Sequence, residues 1–469
     1  MTTRTDVADT ARFVGEVVAP TLAGGVLRRR PRVLALAERL RFDRHAVRLM
    51  RALRSRYGPG PLLLRIPGRP IAVLLDPDDV ERVLDRTPSP FTPAAREKRA
   101  ALGHFQPHAV LASPMPERAP RRRLNERVLE ADRAEHHLAL RVREIVRDET
   151  TRLLADRTAL AWPEFEVAWW RIVRRLVLGD HARDATEVTD ELAALRSRGN
   201  WAFLLPAARH RREAFRARLA AHLDRAEPGS LAATLADHTR GDAVGRDVLP
   251  RIGTGADDLD PYGQVPHWLF AFDAAGMVTL RTLAVLSTHP RDAARAREEA
   301  HARPGDAALP FLRACVWETV RLWPTTPVLL RESTTATSWR GSTLTRGTLF
   351  VVFAPYFHRA PELVPFPDGF HPRVPPDDTP GVTEGAGRWP GVVPFSAGPG
   401  RCPGENLVLL LTATMLAEFL RQGRYRVLAP RSLRARGNAH DRLPATLNHY
   451  ALRFARDPAE GSQATANAG

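Results

Sequence analysis

The stretch Pro394-Phe-Ser-Ala-Gly-Pro-Gly-Arg-Cys-Pro-Gly404 decides how this 469-residue chain is read. It sets Cys402 in a tight turn rich in glycine and proline, and an apolar run of helical periodicity, 405–420, follows at once. A thiolate in such a turn accepts backbone N–H hydrogen bonds and lies near a helix N-terminus. Both favour the anionic sulfur that a metal ligand must offer. The glycines let backbone approach a flat macrocycle closely, and Phe395 is placed to pack against it. A lone cysteine is more often a small buried core residue. The loop by itself leaves both readings open, so the rest of the chain has to choose.

Upstream, Phe311-Leu-Arg-Ala-Cys-Val-Trp-Glu-Thr-Val-Arg-Leu-Trp-Pro324 reads as a helix ended by its proline. Glu318 and Arg321, three apart, share one face of it and can pair there, a structural ion pair rather than a catalytic one. Earlier still, Phe270-Ala-Phe-Asp-Ala-Ala-Gly-Met-Val-Thr279 opens a long apolar helix beginning near His267. Stepping back from Thr279 by helical intervals gives Ala275, Ala274 and Ala271, a face of small side chains with one hydroxyl, suited to border a cavity. Thr279 has two options, bonding its own backbone one turn back or donating to an oxygen species in that cavity. Asp273 lies about 120° around the helix from Thr279, which points to an ion-pair role. Trp201, Phe203 and Phe270 are candidates for a pocket wall or for plain core packing.

Composition narrows the class. A mass of 52.0 kDa with 44% hydrophobic residues supports a large core. The formal charge of +16 ordinarily raises nucleic acid or an anionic membrane as partner. Lys98, however, is the only lysine among 69 basic residues, and a GC-rich genome produces such an arginine bias without functional selection. Basic runs at 28–32 and 121–123 read as solvated faces, and no nucleic-acid recognition element accompanies them. Two cysteines, Cys315 and Cys402, make no disulfide framework and fit a reducing cytoplasm. The apolar stretch 13–27 is broken by Glu16, Pro20 and glycines, is too short to span a bilayer, and lacks the marks of a signal peptide.

Most of the chain carries helical periodicity, as in 138–154, 211–223 and 293–300. Strand-like runs are short: 62–66 and 71–75 around the turn Pro67-Gly-Arg-Pro70, and 348–353. The expectation is a mainly α fold with a small β-sheet region. Residues 241–266 and 377–391 read as polar connections, 457–469 as a disordered tail, and 1–456 as a single domain.

Taken in order, these stretches resemble the cytochrome P450 superfamily across nearly the whole chain. Ala275-Gly-Met-Val-Thr279, Glu318 to Arg321, Phe370-His-Pro-Arg373 and Phe395 to Gly404 stand where that family has its distal helix, its Glu-x-x-Arg helix, its meander and its cysteine loop. The strand pair after Tyr57-Gly-Pro-Gly60 and the segment Pro116-Glu-Arg-Ala-Pro-Arg-Arg-Arg123 are similar to the family's early sheet and propionate-binding helix. The resemblance implies the cytochrome P450 fold, haem b as cofactor and Cys402 as the thiolate ligand of its iron. It implies Arg331 as a propionate partner, Arg122 as a second, Arg118 where the family often has histidine, and Phe395 against the macrocycle. Thr279 becomes the catalytic hydroxyl, and Glu318, Arg321 and Arg373 a structural network behind the loop. The activity implied is that of a cytoplasmic, bacterial-type monooxygenase acting on a small hydrophobic organic substrate with O2, in specialised metabolism. No flavin or iron–sulfur module follows the haem loop, so ferredoxin and ferredoxin reductase are the implied electron donors.

Three departures qualify that picture. Gly400 stands where the family usually has Arg or His, with Arg401 one position later; the meander around Arg373 is one residue short; and Val278 replaces the acid before Thr279. That acid takes part in proton delivery, which valine cannot do. Water held by Thr279, or a polar group of the substrate, would then carry the proton. The other routes are a peroxide-using or non-oxygenating enzyme, and a haem-binding protein without turnover.

Overall fold

A computed structural model describes residues 3–244, 259–302, 308–373, 389–434 and 442–458. The helix Val265–Leu286 forms its axis. Apart from His267, Asp273 and Arg281, its 22 residues carry no ionisable side chain, and a helix apolar nearly all round has to be buried all round. It packs against the helices Trp162–Leu178, Pro310–Leu322 and Glu405–Gln422. The helix Ala139–Leu154 closes the group by packing on both Trp162–Leu178 and Glu405–Gln422. Gly276 makes the crossing close: a Cβ there would sit 2.8 Å from Nε1 of Trp169, which donates to the Phe272 carbonyl at 2.8 Å.

The principal sheet has the order β1-β2-β8-β5-β3, from Leu62–Leu63, Ile71–Val73, Leu349–Phe353, Val328–Ser333 and Phe91–Thr92. Only β2 and β8 run parallel in it. Every residue of β8 is buried, as its unbroken apolar sequence requires. A second sheet joins β4 (Ala159–Ala161), β10 (Arg453–Pro458) and β9 (Gly423–Ala429), and β6 (Thr337–Trp339) pairs with β7 (Ser342–Leu344). The helices enclose one large apolar core, and the principal sheet encloses another with Phe13, Val17, Met50 and Leu53 of the N-terminal helices.

The mainly helical expectation agrees with this architecture, and several boundaries move. The stretch 13–27 is helical to Gly24, with Phe13 and Val17 buried against the sheet core. Of the connection 241–266, residues 241–244 end the helix Leu231–Val244 and 262–266 already begin the central helix. Pro266 is tolerated there because a first-turn residue has no intrahelical use for an N–H. Residues 245–258 and 374–388 lie outside the described residues. The tail also starts later than expected: Asp457 and Pro458 pair with Arg424 and Gly423 in β10, and 459–469 lie outside the described residues.

The helix Pro310–Leu322 ends in a buried polar cluster. Arg321 binds Glu318 through two hydrogen bonds of 2.7 Å and donates to the carbonyls of His358, Pro367 and Gly369. The Glu318 carboxylate also accepts the His371 backbone N–H at 3.1 Å. Arg373, expected in this network, is instead exposed and lies over the Trp389 ring.

Candidate haem-iron site

The turn 394–404 is held in shape by its own backbone and by two neighbours. Cys402 N–H donates to the Phe395 carbonyl and Arg401 N–H to that of Gly398, both at 2.9 Å. Ser396 and Gly398 adopt left-handed conformations with φ of 63° and 58°. A Cβ on Gly398 would lie 2.5 Å from the Leu84 carbonyl oxygen, so only glycine lets the turn lie against the helix Pro77–Asp85. From the other side His358 connects the turn to the Glu318–Arg321 cluster, accepting Val393 N–H at Nε2 and bonding the Arg321 carbonyl through Nδ1, both at 3.0 Å. With Nε2 accepting, the ring hydrogen is on Nδ1. Burial pushes this imidazole down to about 3, so it stays neutral.

Cys402 stands two residues before the N-cap Gly404 of the helix Glu405–Gln422 and opens on a cavity of about 630 Å³. Arg122, Arg127, Gly398, Arg401 and Glu405 share its wall. The expectation that the turn by itself favours a thiolate is not met. Burial and then the Glu405 charge push the thiol up to about 11, and the Gly404 backbone hydrogen bond, Arg122 and Arg401 offset this only in part. A cation at the sulfur would favour its ionised form.

The expected propionate partners separate into two groups. Arg331 and Arg118 are both buried. Arg331 donates to Thr87 Oγ1 at 3.0 Å, to the Leu330 carbonyl at 3.1 Å and to Ser396 Oγ at 3.3 Å, whereas Arg118 donates to the Val110 carbonyl at 2.7 Å. Neither forms an ion pair among the described residues. Burial, and after it their neighbouring arginines, lower both to about 10. Lys98, which the sequence reading left unassigned, joins them: burial, then Arg331 and Arg118, push its ammonium well down. Arg122 faces elsewhere, bonding Glu126 at 2.6 Å and the Arg401 carbonyl at 2.7 Å. It fastens the cysteine turn and already has a carboxylate.

Gly400 is also accounted for. A Cβ there would lie 2.6 Å from Nη2 of Arg331, so Arg331 occupies the room that a side chain at 400 would take. Arg401 does not substitute for it, because its guanidinium binds Glu405 at 2.7 and 2.9 Å.

On the central helix Thr279 is fully buried and its hydroxyl donates to the Ala275 carbonyl at 3.0 Å, the local bond that threonine readily makes. Ala271 and Ala274 keep part of their surface open, whereas Ala275 is buried. Asp273 pairs with Arg196, as its position around the helix suggested. Of the aromatic candidates, only Phe270 lies inside, with Arg196 stacked on it at 4.6 Å. Trp201 and Phe203 are exposed.

Comparison with known proteins agrees with this geometry. Residues 272–432 match the family model Cytochrome P450. That stretch, with the Glu318–Arg321 pair and the cysteine turn inside it, is similar to the cytochrome P450 superfamily. A solved cytochrome P450 from zebra fish with progesterone superposes with a TM-score of 0.66 at 20% identity, covering 88% of this chain and 99% of that one. Retinoic acid bound cyanobacterial CYP120A1 gives 0.65 at 15% identity, covering 87% and 93%. Among curated relatives, cyclooctat-9-en-7-ol 5-monooxygenase of Streptomyces melanosporofaciens is 32% identical over 190 residues, 38% of this chain and 40% of the relative. Human cytochrome P450 4A11 is 30% identical over 190 residues, 37% and 35% respectively. The chain thus matches less than half the length of these curated relatives.

Haem b is the cofactor of this P450 family and fold. The residues fit it: a cysteine in a glycine-rich turn that lines a cavity, and two buried guanidiniums that form no ion pair among the described residues and suit its propionates. His358 and Lys98 escaped the sequence reading. No motif marks His358, but the single lysine of an arginine-rich chain was a visible signal for Lys98.

Proposed function

We propose that this protein is a haem-thiolate monooxygenase inserting one atom of O2 into a small organic substrate, with Cys402 as the residue that would bind the haem iron. The observation that carries this reading is the cysteine turn, braced between two helices, with Cys402 lining a cavity and the buried Arg331 guanidinium against Gly400. Bound there, the haem supplies the iron at which O2 is activated. Arg331 and Arg118 hold the propionates, Arg122 secures the turn through the Arg401 carbonyl, and Phe395 packs at its edge.

Proton supply is where this chain differs from that family. Val278 has no proton to give. The Thr279 hydrogen is engaged with the Ala275 carbonyl and the residue is fully buried, so its oxygen accepts a hydrogen bond from water only once this turn of the helix opens. Water oriented at Thr279 Oγ1, or a polar group of the substrate, serves as the donor. Val278 also favours a second reading, an enzyme driven by peroxide or one that does not oxygenate.

Electrons come from an acidic ferredoxin and its reductase. The charge of +16 and the cluster Arg122, Arg123, Arg127 and Arg401 around the cysteine cavity support electrostatic steering of such a partner. Two unpaired cysteines fit a cytoplasmic setting. One described helix, Tyr262–Leu286, is long and apolar enough to cross a membrane, and most of it is buried within the protein. The bacterial relative named for a monooxygenation of cyclooctat-9-en-7-ol supports a role in specialised metabolism.

The test is turnover of the haem-loaded protein with O2 and a ferredoxin–reductase couple, set against turnover with peroxide. Product is expected from the reductase couple, at a rate that falls as salt screens the docking charges. Thr279→Ala is expected to consume several-fold more NAD(P)H per product, as order-of-magnitude loss of a positioned proton donor implies. Turnover with peroxide alone, with coupling unchanged in Thr279→Ala, would establish the second reading instead.

A further inference from the structure

We propose that Asp260 is a latch. Its carboxylate ties the strap of chain 103–113 and the helix Arg209–Leu223 to the start of the central helix, and its release is the local opening that uncovers the helix face carrying Ala271 and Ala274. The latch stands on its own contacts. Only its use, admitting ligand to the iron, rests on the haem-thiolate reading.

Asp260 is held in a left-handed conformation, with φ of 40°, just before the turn Tyr262–Gln264 that leads into the central helix. Aspartate enters that region at a cost, and a strained residue persists only where its surroundings over-determine it. Three contacts from three segments do so here. Oδ2 accepts from His108 Nδ1 at 2.7 Å, and Oδ1 accepts from Arg216 Nη2 and from the Gly263 N–H, both at 3.1 Å. Burial works against the charge, but the His108 hydrogen bond, Arg216 and Gly263 outweigh it and hold the carboxyl below its usual range. Position 263 has to be glycine, because a Cβ there would collide with the Asp260 carboxylate.

The strap consists of turns, without helix or strand, and it lies on the central helix. Gln106 Nε2 donates to His267 Nδ1 at 3.0 Å, and Phe105 meets Phe270 edge-on with ring centroids 6.0 Å apart. His267 and Phe270 stand one turn before Ala271 and Ala274, so the strap lies over the approach to that face. Gln264 supports the latch by donating from Nε2 to the His108 carbonyl at 3.0 Å. On the outer side Arg212, one turn before Arg216, donates to the Gly103 carbonyl at 2.6 Å, and Tyr262 donates to Asp224, just past the helix end, at 2.6 Å. Of the 15 residues of Arg209–Leu223 only Phe215, Leu219 and Leu223 are buried, so the hold on this helix depends heavily on such outer contacts. The His108 and Arg216 side chains are 47% and 42% exposed, against 11% for Asp260. Water competes for both partners, which lets the latch open without global unfolding.

Hydrogen–deuterium exchange of the haem-loaded protein tests the latch. Asp260→Gly removes the carboxylate without backbone strain, and Gly263→Ala displaces it while Asp260 remains. Each is expected to speed exchange about ten-fold in 103–113 and in 209–223 together, as loss of one charge-assisted contact implies, with 310–322 and haem content unchanged. The double variant should open no further than either single one. Access is read separately, from the rate at which phenylimidazole ligates the ferric iron and shifts the Soret band, and this rate should rise by a similar factor. Unchanged exchange, faster exchange in only one of the two segments, or a rise that extends to 310–322 would overturn the latch. Faster exchange with an unchanged phenylimidazole rate would overturn its part in access. A wild-type protein that takes up no haem would overturn the underlying reading, and the exchange comparison on haem-free protein would then decide the latch by the same outcomes.

Discussion

Arg331 and Arg118 sit buried with neighbouring positive charge and no ion pair among the described residues, an arrangement that weakens the protein without haem and suits the protein with it. Removing one of them should therefore act in opposite directions on the two forms. Arg331→Ala is expected to lower haem retention several-fold while leaving the haem-free protein as stable as before, or more stable by about 1 kcal/mol. Haem content after gel filtration, with urea unfolding of the haem-free protein, measures both. A haem-free protein that Arg331→Ala destabilises would mean that Arg331 serves packing through Thr87 and Ser396 instead. At this scale the sequence announced Cys402 and Arg331, because their chemistry admits few substitutes. It was silent on which arginine near Arg118 and Arg122 faces where, since crowded arginines are told apart only by the groups they reach.

The helix Pro310–Leu322 and the cysteine turn behave as one element, joined through Glu318, Arg321, His358 and Val393. Glu318→Gln would leave the Arg321 guanidinium buried without its carboxylate, at a cost of about 3–5 kcal/mol. Chemical denaturation of the haem-loaded protein should register this as a lowered midpoint, and a loss below about 1 kcal/mol would mean that the carbonyl and amide contacts of the cluster suffice without the charge pair. The Glu-x-x-Arg spacing was readable because three residues place two side chains on one helix face. The strands were readable where apolar residues run together, as in β1 and β2 within 62–66 and 71–75. β8 carries five apolar residues in a row and was anticipated, whereas β5, β9 and β10 mix arginine, serine and aspartate with apolar positions and were not. Such half-exposed strands follow from the pairing of distant segments, β10 with β4 for example, which no local pattern encodes.

Across the whole molecule the superposition on solved P450 structures takes in 87–88% of the chain, whereas the family model matches only 272–432. The difference has a physical origin. In the first half a helix needs only apolar residues at the right spacing, and many sequences meet that need. In the second half particular atoms are required, a sulfur at 402 and a guanidinium at 321 and 331. The exposed Trp201 and Phe203 illustrate the limit, since periodicity alone could not tell a surface aromatic from one in a wall. The account as a whole depends on one bond, from Cys402 to the haem iron. Its most direct test is the absorption spectrum of the reduced, carbon monoxide-bound protein. Wild type and Cys315→Ser should both give the red-shifted Soret band of a thiolate-ligated haem, and Cys402→Ser should lose it. A red-shifted band that persists in Cys402→Ser, or that disappears in Cys315→Ser, would contradict the account.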